Sequence, residues 1–347
     1  QGYSVLNNFS TLSTTCGTAD VAYFGSTGIG PISATVNWRP VSGALSYNVR
    51  YAIRFSGNWT TVASSSITKT LTNLSPLQTY EFQIQTNCAS GSGAWSPSGI
   101  FTTLNGTLSL GRGPYLQMST HNSIVIRWRS NVASDSRVKY GTSSTNLNFT
   151  TTNSTQKTEH EVQLVGLSPN TRYFYSVGSS TTVLQGTTEN YFVTNPVPGT
   201  VSPTRIWVTG DFGHGSSAQN QVRDSYMNYT GTTHTNVWLW LGDNAYNDGT
   251  DAEYQSKVFD VYPNQFRKFV TWPTSGNHDL HSANAASQTG PYFDNFTMPT
   301  AAQAGGVASG TEAYYSFNYA NIHFICLESN DAAFRASNGA MANWIRA

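Results

Sequence analysis

The sequence holds 347 residues with 18 basic and 18 acidic side chains, so the formal charge is zero and no polybasic stripe favours nucleic acid or an anionic membrane surface as a partner. Only 10% of residues are charged, against about a quarter in an average domain, and Ser, Thr, Asn and Gly supply the polarity instead. The length predicts two or three domains, the 13% aromatic content argues against disorder, and no apolar run is long enough to span a membrane.

The chain starts at Gln1 rather than Met. That predicts a processed N-terminus with a signal peptide already removed, hence a secreted or cell-surface protein. Residues 1–12 carry no clear signal. From about Cys16 to Leu104 short alternating stretches are separated by turns. Ala34-Thr35-Val36-Asn37-Trp38 alternates toward a core Trp, and Ser46-Tyr47-Asn48-Val49-Arg50-Tyr51 alternates again. Leu74-Ser75-Pro76-Leu77-Gln78-Thr79-Tyr80 leads into a third run, Glu81-Phe82-Gln83-Ile84-Gln85-Thr86. Short strands with a period of two predict an all-β sandwich over 1–104. Cys16 and Cys88 both fall in it and can pair in an oxidising compartment; two free thiols are the alternative. Cys326, far away in Ile322-His323-Phe324-Ile325-Cys326-Leu327, reads as a small buried apolar residue of a strand.

The Leu74 to Tyr80 run resembles the tyrosine corner of fibronectin type III domains, and Trp38, Tyr47, Leu74 and Tyr80 fall where that family keeps its core. The resemblance implies a spacer or adhesive module, in contact with a cell surface or polymer, and no chemistry. The pattern then recurs. Ser123-Ile124-Val125-Ile126-Arg127-Trp128, Ser136-Arg137-Val138-Lys139-Tyr140-Gly141 and Leu167-Ser168-Pro169-Asn170-Thr171-Arg172-Tyr173 echo the same three features, which predicts a second fibronectin/Ig-like sandwich over 108–195. The Gly-rich 105–113 and the Pro/Gly stretch 195–203 read as linkers, the second stiffened by Pro196, Pro198 and Pro203.

From Thr204 the texture changes. Arg205-Ile206-Trp207-Val208-Thr209 and Val237-Trp238-Leu239-Trp240-Leu241 read as buried strands. Ser217 to Tyr229 reads as a helix capped by Ser216 or Ser217, and Ala252 to Phe269 as a second helix. Alternating strands and helices predict an α/β domain over 203–347, in which ligands gather past the carboxyl ends of strands. Three turns stand at such ends: Gly210-Asp211-Phe212-Gly213, Gly242-Asp243-Asn244-Ala245-Tyr246 and Gly276-Asn277-His278-Asp279. A lone Gly-Asp is most often a turn or a cap. Three in succession, 32 and 34 residues apart, fit one strand–helix–strand step each and change that balance. Converging carboxylates repel one another unless cations neutralise them, and Asp, Tyr and Asn are hard oxygen donors.

The three turns resemble the first three motifs of the calcineurin-like metallophosphatases, GDxG, GDxxY and GNH(D/E), and the Tyr of the second points specifically to the purple acid phosphatases. The segment Gly113-Pro114-Tyr115-Leu116-Gln117 opens a domain similar to the N-terminal β-domain of those enzymes. The resemblance covers about residues 108–347 and implies a dinuclear metal centre, with Asp211 and the Tyr246 phenolate on Fe(III), Asp243 bridging, and Asn277 on a second ion, Fe(II), Zn or Mn. It gives His278 a catalytic role beside the substrate phosphate, as a proton or hydrogen-bond donor to the leaving group. His214 and His281 flank the motifs as lesser candidates for contact with the site, while His121, His160, His234 and His323 read as ordinary surface or strand residues. The family's two later motifs, VxxH and GHxH, which bring three histidine ligands, do not occur in this sequence. Ala340 to Ala347 resembles the helix that precedes VxxH.

The expectation is therefore two all-β sandwiches followed by a truncated α/β metallophosphatase domain (an αββα sandwich) in a chain that continues past Ala347. The implied activity is an exported acid phosphatase acting on small phosphate monoesters, with the 347-residue chain itself inactive. A phosphodiesterase or nucleotidase on the same scaffold is one alternative, and a non-catalytic surface adhesion or spacer protein is the other. Asn-x-Ser/Thr triplets such as Asn58-Trp59-Thr60 are weak glycosylation signals in so Asn-rich a chain.

Overall fold

The computed structural model describes residues 16–19 and 25–347; the reading of residues 1–12 lies outside them. The chain divides into two compact units, Gln1–Thr107 and Leu108–Ala347.

In the first unit, β1 (Gly25–Thr27), β2 (Ala34–Asn37) and β5 (Thr68–Leu71) form an antiparallel sheet in the order β1-β2-β5. A second sheet runs β4 (Thr60–Ser64), β3 (Ala44–Ile53), β6 (Thr79–Cys88), β7 (Gly91–Trp95), with β8 (Gly99–Thr102) also on β6. The period of two sends Tyr47 and Val49 of β3 and Phe82 and Ile84 of β6 into one core with Val36 and Trp38, while Asn48 and Arg50 point away. Trp38 meets Tyr47 edge-on at 5.2 Å. The tyrosine corner is present: the Tyr80 hydroxyl accepts a hydrogen bond from the Ser75 backbone N–H at 2.8 Å, across a turn in which Leu77 has φ 54°. Cys16 and Cys88 are disulfide-bonded.

The second unit begins with six paired strands. These are β9 (Leu110–Gln117), β10 (Ser123–Gly141), β11 (Phe149–Val165), β12 (Arg172–Gly178), β13 (Val183–Gln185) and β14 (Tyr191–Val193). The 19-residue β10 is shared: its first half pairs with β9 and its second with β12, and register shifts between Arg129 and Ser136 separate the two. Such bulges bend a strand and let one strand serve two layers. The corner repeats here, with Tyr173 accepting from Ser168 N–H at 3.0 Å and Asn170 at φ 47°. A threonine braces each corner. Thr103 accepts from Gln78 N–H and donates to the Ser75 carbonyl; Thr194 does the same with Thr171 and Ser168.

Three parallel strands follow, β15 (Ile206–Thr209), β16 (Val237–Leu241) and β17 (Thr271–Thr274), in that order. Helix α1 (Ser217–Thr230) crosses from β15 to β16, and the Ser216 side chain accepts from Gln219 N–H, the expected N-cap. Trp207 lies between the Tyr226 ring of α1 at 4.2 Å and Trp238 of β16 at 4.5 Å, which fixes helix to sheet. The expectation of buried strands holds for most of β16 but not for β15. Ile206 and Val208 stay 36% and 50% exposed, and Leu241 at the end of β16 stays 65% exposed, whereas Thr271, Trp272 and Pro273 of β17 are all buried.

The expected helix from Ala252 to Phe269 is also corrected. It breaks into α2 (Asp251–Glu253), a π-helical stretch Tyr254–Phe259 and α3 (Pro263–Phe266). Pro263 lacks an N–H, so it can start a helix but not continue one. The aromatic residues that imitate helical periodicity, Tyr254, Phe259, Tyr262 and Phe266, are anchored in a shared core with Tyr115, Trp238 and Trp240. Beyond β17 come α4 (Pro291–Asn295), the hairpin β18 (Tyr315–Tyr319) and β19 (Ile322–Cys326), α5 (Ala332–Arg335) and α6 (Ala340–Arg346). Cys326 is half-buried in β19, and burial pushes its thiol up to about 11.

The six-stranded part and the parallel-sheet part share this core. Arg112, with a fully buried side chain, donates to Asp251 at 2.9 Å and Gln255 at 2.8 Å, and Tyr115 donates to the Asn295 carbonyl at 2.8 Å. The 195–203 segment is not a free linker either. Asn195 donates to the Ser119 and Asn318 carbonyls, and Gly199 N–H to that of Ala320.

Candidate metal centre

Because β15, β16 and β17 run parallel, their carboxyl ends and the turns that follow lie along one edge. Asp211 and Asp243 both adopt the left-handed conformation, φ 54° and 51°, which Asp tolerates better than most residues. The turns are laced together through the backbone. Asp211 N–H donates to the Gly242 carbonyl at 3.1 Å, Tyr246 N–H to that of Gly213 at 2.9 Å, and His278 N–H to the Asp243 carboxylate at 3.0 Å. Glycine is required at two of these crossings: a Cβ on Gly213 would stand 1.8 Å from the Asn244 carbonyl oxygen, and one on Gly276 2.2 Å from Asp243 Oδ1.

Three of the expected donors come together. The Tyr246 hydroxyl donates to Asp211 Oδ1 at 2.8 Å and lies 3.3 Å from Asp243 Oδ2. Burial, the hydrogen bond to Asp211 and the charges of the two carboxylates all hold the phenol well above its ordinary range. Asn277 is exposed on the third turn, next to His278. The His278 ring lies 4.4 Å from that of Tyr246, and its Nδ1 bonds the Asn247 carbonyl at 2.5 Å, so that nitrogen carries the proton. His214 stacks on Tyr246 with centroids 3.9 Å apart and planes 11° apart. His281 pairs its Nδ1 with Asp248 at 3.1 Å.

Among the described residues, no group of three His, Cys, Asp or Glu side chains is placed to hold a metal ion. The donor set that is present, two carboxylates and a phenol in mutual contact, fits a hard oxygen-preferring cation, since each of these groups gains from a nearby positive charge.

Two residues essential to the geometry escaped the sequence reading. Asp279 is fully buried and accepts from the backbone N–H groups of Asn244 and Gly276, from the Asn244 side chain and from the Tyr254 hydroxyl. Burial nevertheless pushes its carboxyl up to about 6. Asn244, also fully buried, spans from Asp279 to the Thr274 carbonyl. The available signal was the backbone itself: consecutive tight turns leave N–H groups that something must accept. The four histidines set aside above are not all superficial. His160 is buried between Ser130 and Ser136 and stacked on Trp128 at 4.7 Å, a structural role.

Comparison with known proteins matches residues 112–195 to the purple acid phosphatase N-terminal domain and residues 23–102 to the fibronectin type III domain. Purple acid phosphatase 23 of Arabidopsis thaliana is 26% identical over 187 residues, covering 48% of this chain and 40% of that protein. The chain thus spans about two fifths of the length of that curated relative. Among solved structures, the chicken CNTN1 FN1-FN3 domains are 16% identical with a TM-score of 0.27, covering 52% of this chain and 66% of that one. A fibronectin type III domain derived from the human KIAA0970 protein is 21% identical with a TM-score of 0.23, covering 24% of this chain and 72% of that one. The chain thus carries, in order, a segment that matches the fibronectin type III domain and one that matches the N-terminal domain of the purple acid phosphatases.

Proposed function

We propose that the chain belongs to an exported phosphomonoesterase and that residues 203–347 carry part of its catalytic domain. The observation that carries this reading is the contact of the Tyr246 hydroxyl with both Asp211 and Asp243 at the ends of parallel strands. Asp211 and Tyr246 would hold an Fe(III) ion, Asp243 would bridge to a second ion, Fe(II), Zn or Mn, and Asn277 would hold that second ion. Such a pair supplies an acidified water as nucleophile and charge neutralisation at phosphorus. The protein's own part is positional. Backbone lacing fixes Asp211 and Asp243, and the His278 N–H orients the Asp243 carboxylate. The Asn247 carbonyl fixes the His278 tautomer, leaving Nε2 to face a ligand and, when protonated, to donate to the leaving oxygen. The disulfide supports export, because such bonds persist in oxidising compartments. No helix among the described residues is long and apolar enough to cross a membrane.

The test is metal content and p-nitrophenyl phosphate hydrolysis of the intact gene product, wild type against Asp243→Ala. Loss of both metals and of activity in the variant supports the reading. Full metal content with unchanged hydrolysis refutes it.

A further inference from the structure

Three imidazoles from two loops line up beside the phenol that touches both carboxylates: two pack on its ring, and the third packs on one of them. His214 follows the first turn and stacks on Tyr246; His278 packs at 4.4 Å from the same ring; His281 follows at 5.1 Å from His278. Two of them are already oriented. His278 and His281 commit Nδ1 to the Asn247 carbonyl and the Asp248 carboxylate, which leaves Nε2 of each for a ligand. His214 is exposed, its ring held by the stack, and among the described residues its side chain makes no hydrogen bond. An exposed imidazole pinned flat against a phenol has lost rotamer freedom, and a preorganised donor costs a ligand little to engage.

We infer that His214 is a substrate-binding residue that completes a three-imidazole rim and selects phosphate monoesters over diesters. The chemistry follows from oxygen count. A monoester presents three unesterified oxygens and a second negative charge; a diester presents two and a single charge. The third donor is matched only by the monoester. This rests on the phosphomonoesterase reading above and adds to it the residue that sets the preference for monoesters.

The variant His214→Phe keeps a ring on Tyr246 and removes the N–H donors. In the metal-loaded intact gene product, inorganic phosphate is titrated against the visible absorption band of the metal phenolate. The rate ratio of p-nitrophenyl phosphate to bis(p-nitrophenyl) phosphate is measured alongside. The expected result is a band at its wild-type position, showing a folded and loaded site, with phosphate affinity and the rate ratio each lowered about tenfold, the worth of one charge-assisted hydrogen bond. Wild-type phosphate affinity with an unchanged ratio overturns the assignment of His214 and leaves the phosphatase reading standing. A wild-type protein with no band and no hydrolysis overturns that reading, and the rim with it.

Discussion

Asn244 and Asp279 are bound to each other twice: the Asp279 carboxylate accepts the Asn244 backbone N–H at 3.1 Å and its side-chain amide at 3.0 Å. This pair ties the turn that carries Asp243 and Tyr246 to the turn that carries Asn277 and His278. Asp279→Asn keeps the shape but puts an NH2 where an acceptor is needed. It should cost about 2–3 kcal/mol and lower metal uptake, although residue 279 touches no ligand. Unchanged unfolding by denaturant would show that the turns hold together without it.

Asp251 joins the six-stranded part of the second unit to its parallel-sheet part, pairing with Arg112 at 2.9 Å and Arg129 at 2.6 Å. Asp251→Ala leaves the buried Arg112 guanidinium without its counter-charge, and the expected loss is about 3 kcal/mol. A loss below about 1 kcal/mol would mark the pair as an ordinary surface bridge.

The two tyrosine corners give paired predictions. Tyr80→Phe and Tyr173→Phe each remove one hydrogen bond, to Ser75 and Ser168 N–H, and each should cost about 1–2 kcal/mol. Calorimetry should assign the first loss to the melting of Gln1–Thr107 and the second to that of Leu108–Ala347. Both losses in a single transition would contradict separate units.

Burial holds His160 near a pKa of about 4, below the ordinary 6.5. Between these values the unfolded chain binds the extra proton, so this residue's contribution is present above pH 6.5 and is lost as pH falls toward 4. Asp279 acts with the opposite sign, since its raised carboxyl is protonated first in the folded state. The comparison of wild type with His160→Gln isolates the histidine. The stability gap between them should narrow by about 1–3 kcal/mol from pH 7 to pH 4; a constant gap would show that His160 titrates normally.

Much of this fold was legible because strand alternation and corner motifs are local. Tyr80 and Tyr173 announce their turns within seven residues, and Ser216 announces α1 from the position before it. The stretch from Ala252 to Phe269 was misread because its aromatics follow a helical period for a different reason, the demands of a core shared with β9 and β16. At the candidate site Asp211, Asp243 and Tyr246 were legible as motif residues and converge in space. Asp279 was visible only as a motif letter; its work is long-range acceptance of backbone donors, which leaves no periodic trace. His214 stood out only by adjacency, and its stack on Tyr246 depends on how two distant loops meet.

The most direct test of the account is the visible absorption spectrum of the iron-loaded, air-oxidised intact gene product, before and after Tyr246→Phe. The account predicts a phenolate-to-Fe(III) band in the wild type that vanishes in the variant while the fold persists. A wild type without the band, or a band that survives the substitution, would contradict the placement of Tyr246 on the metal.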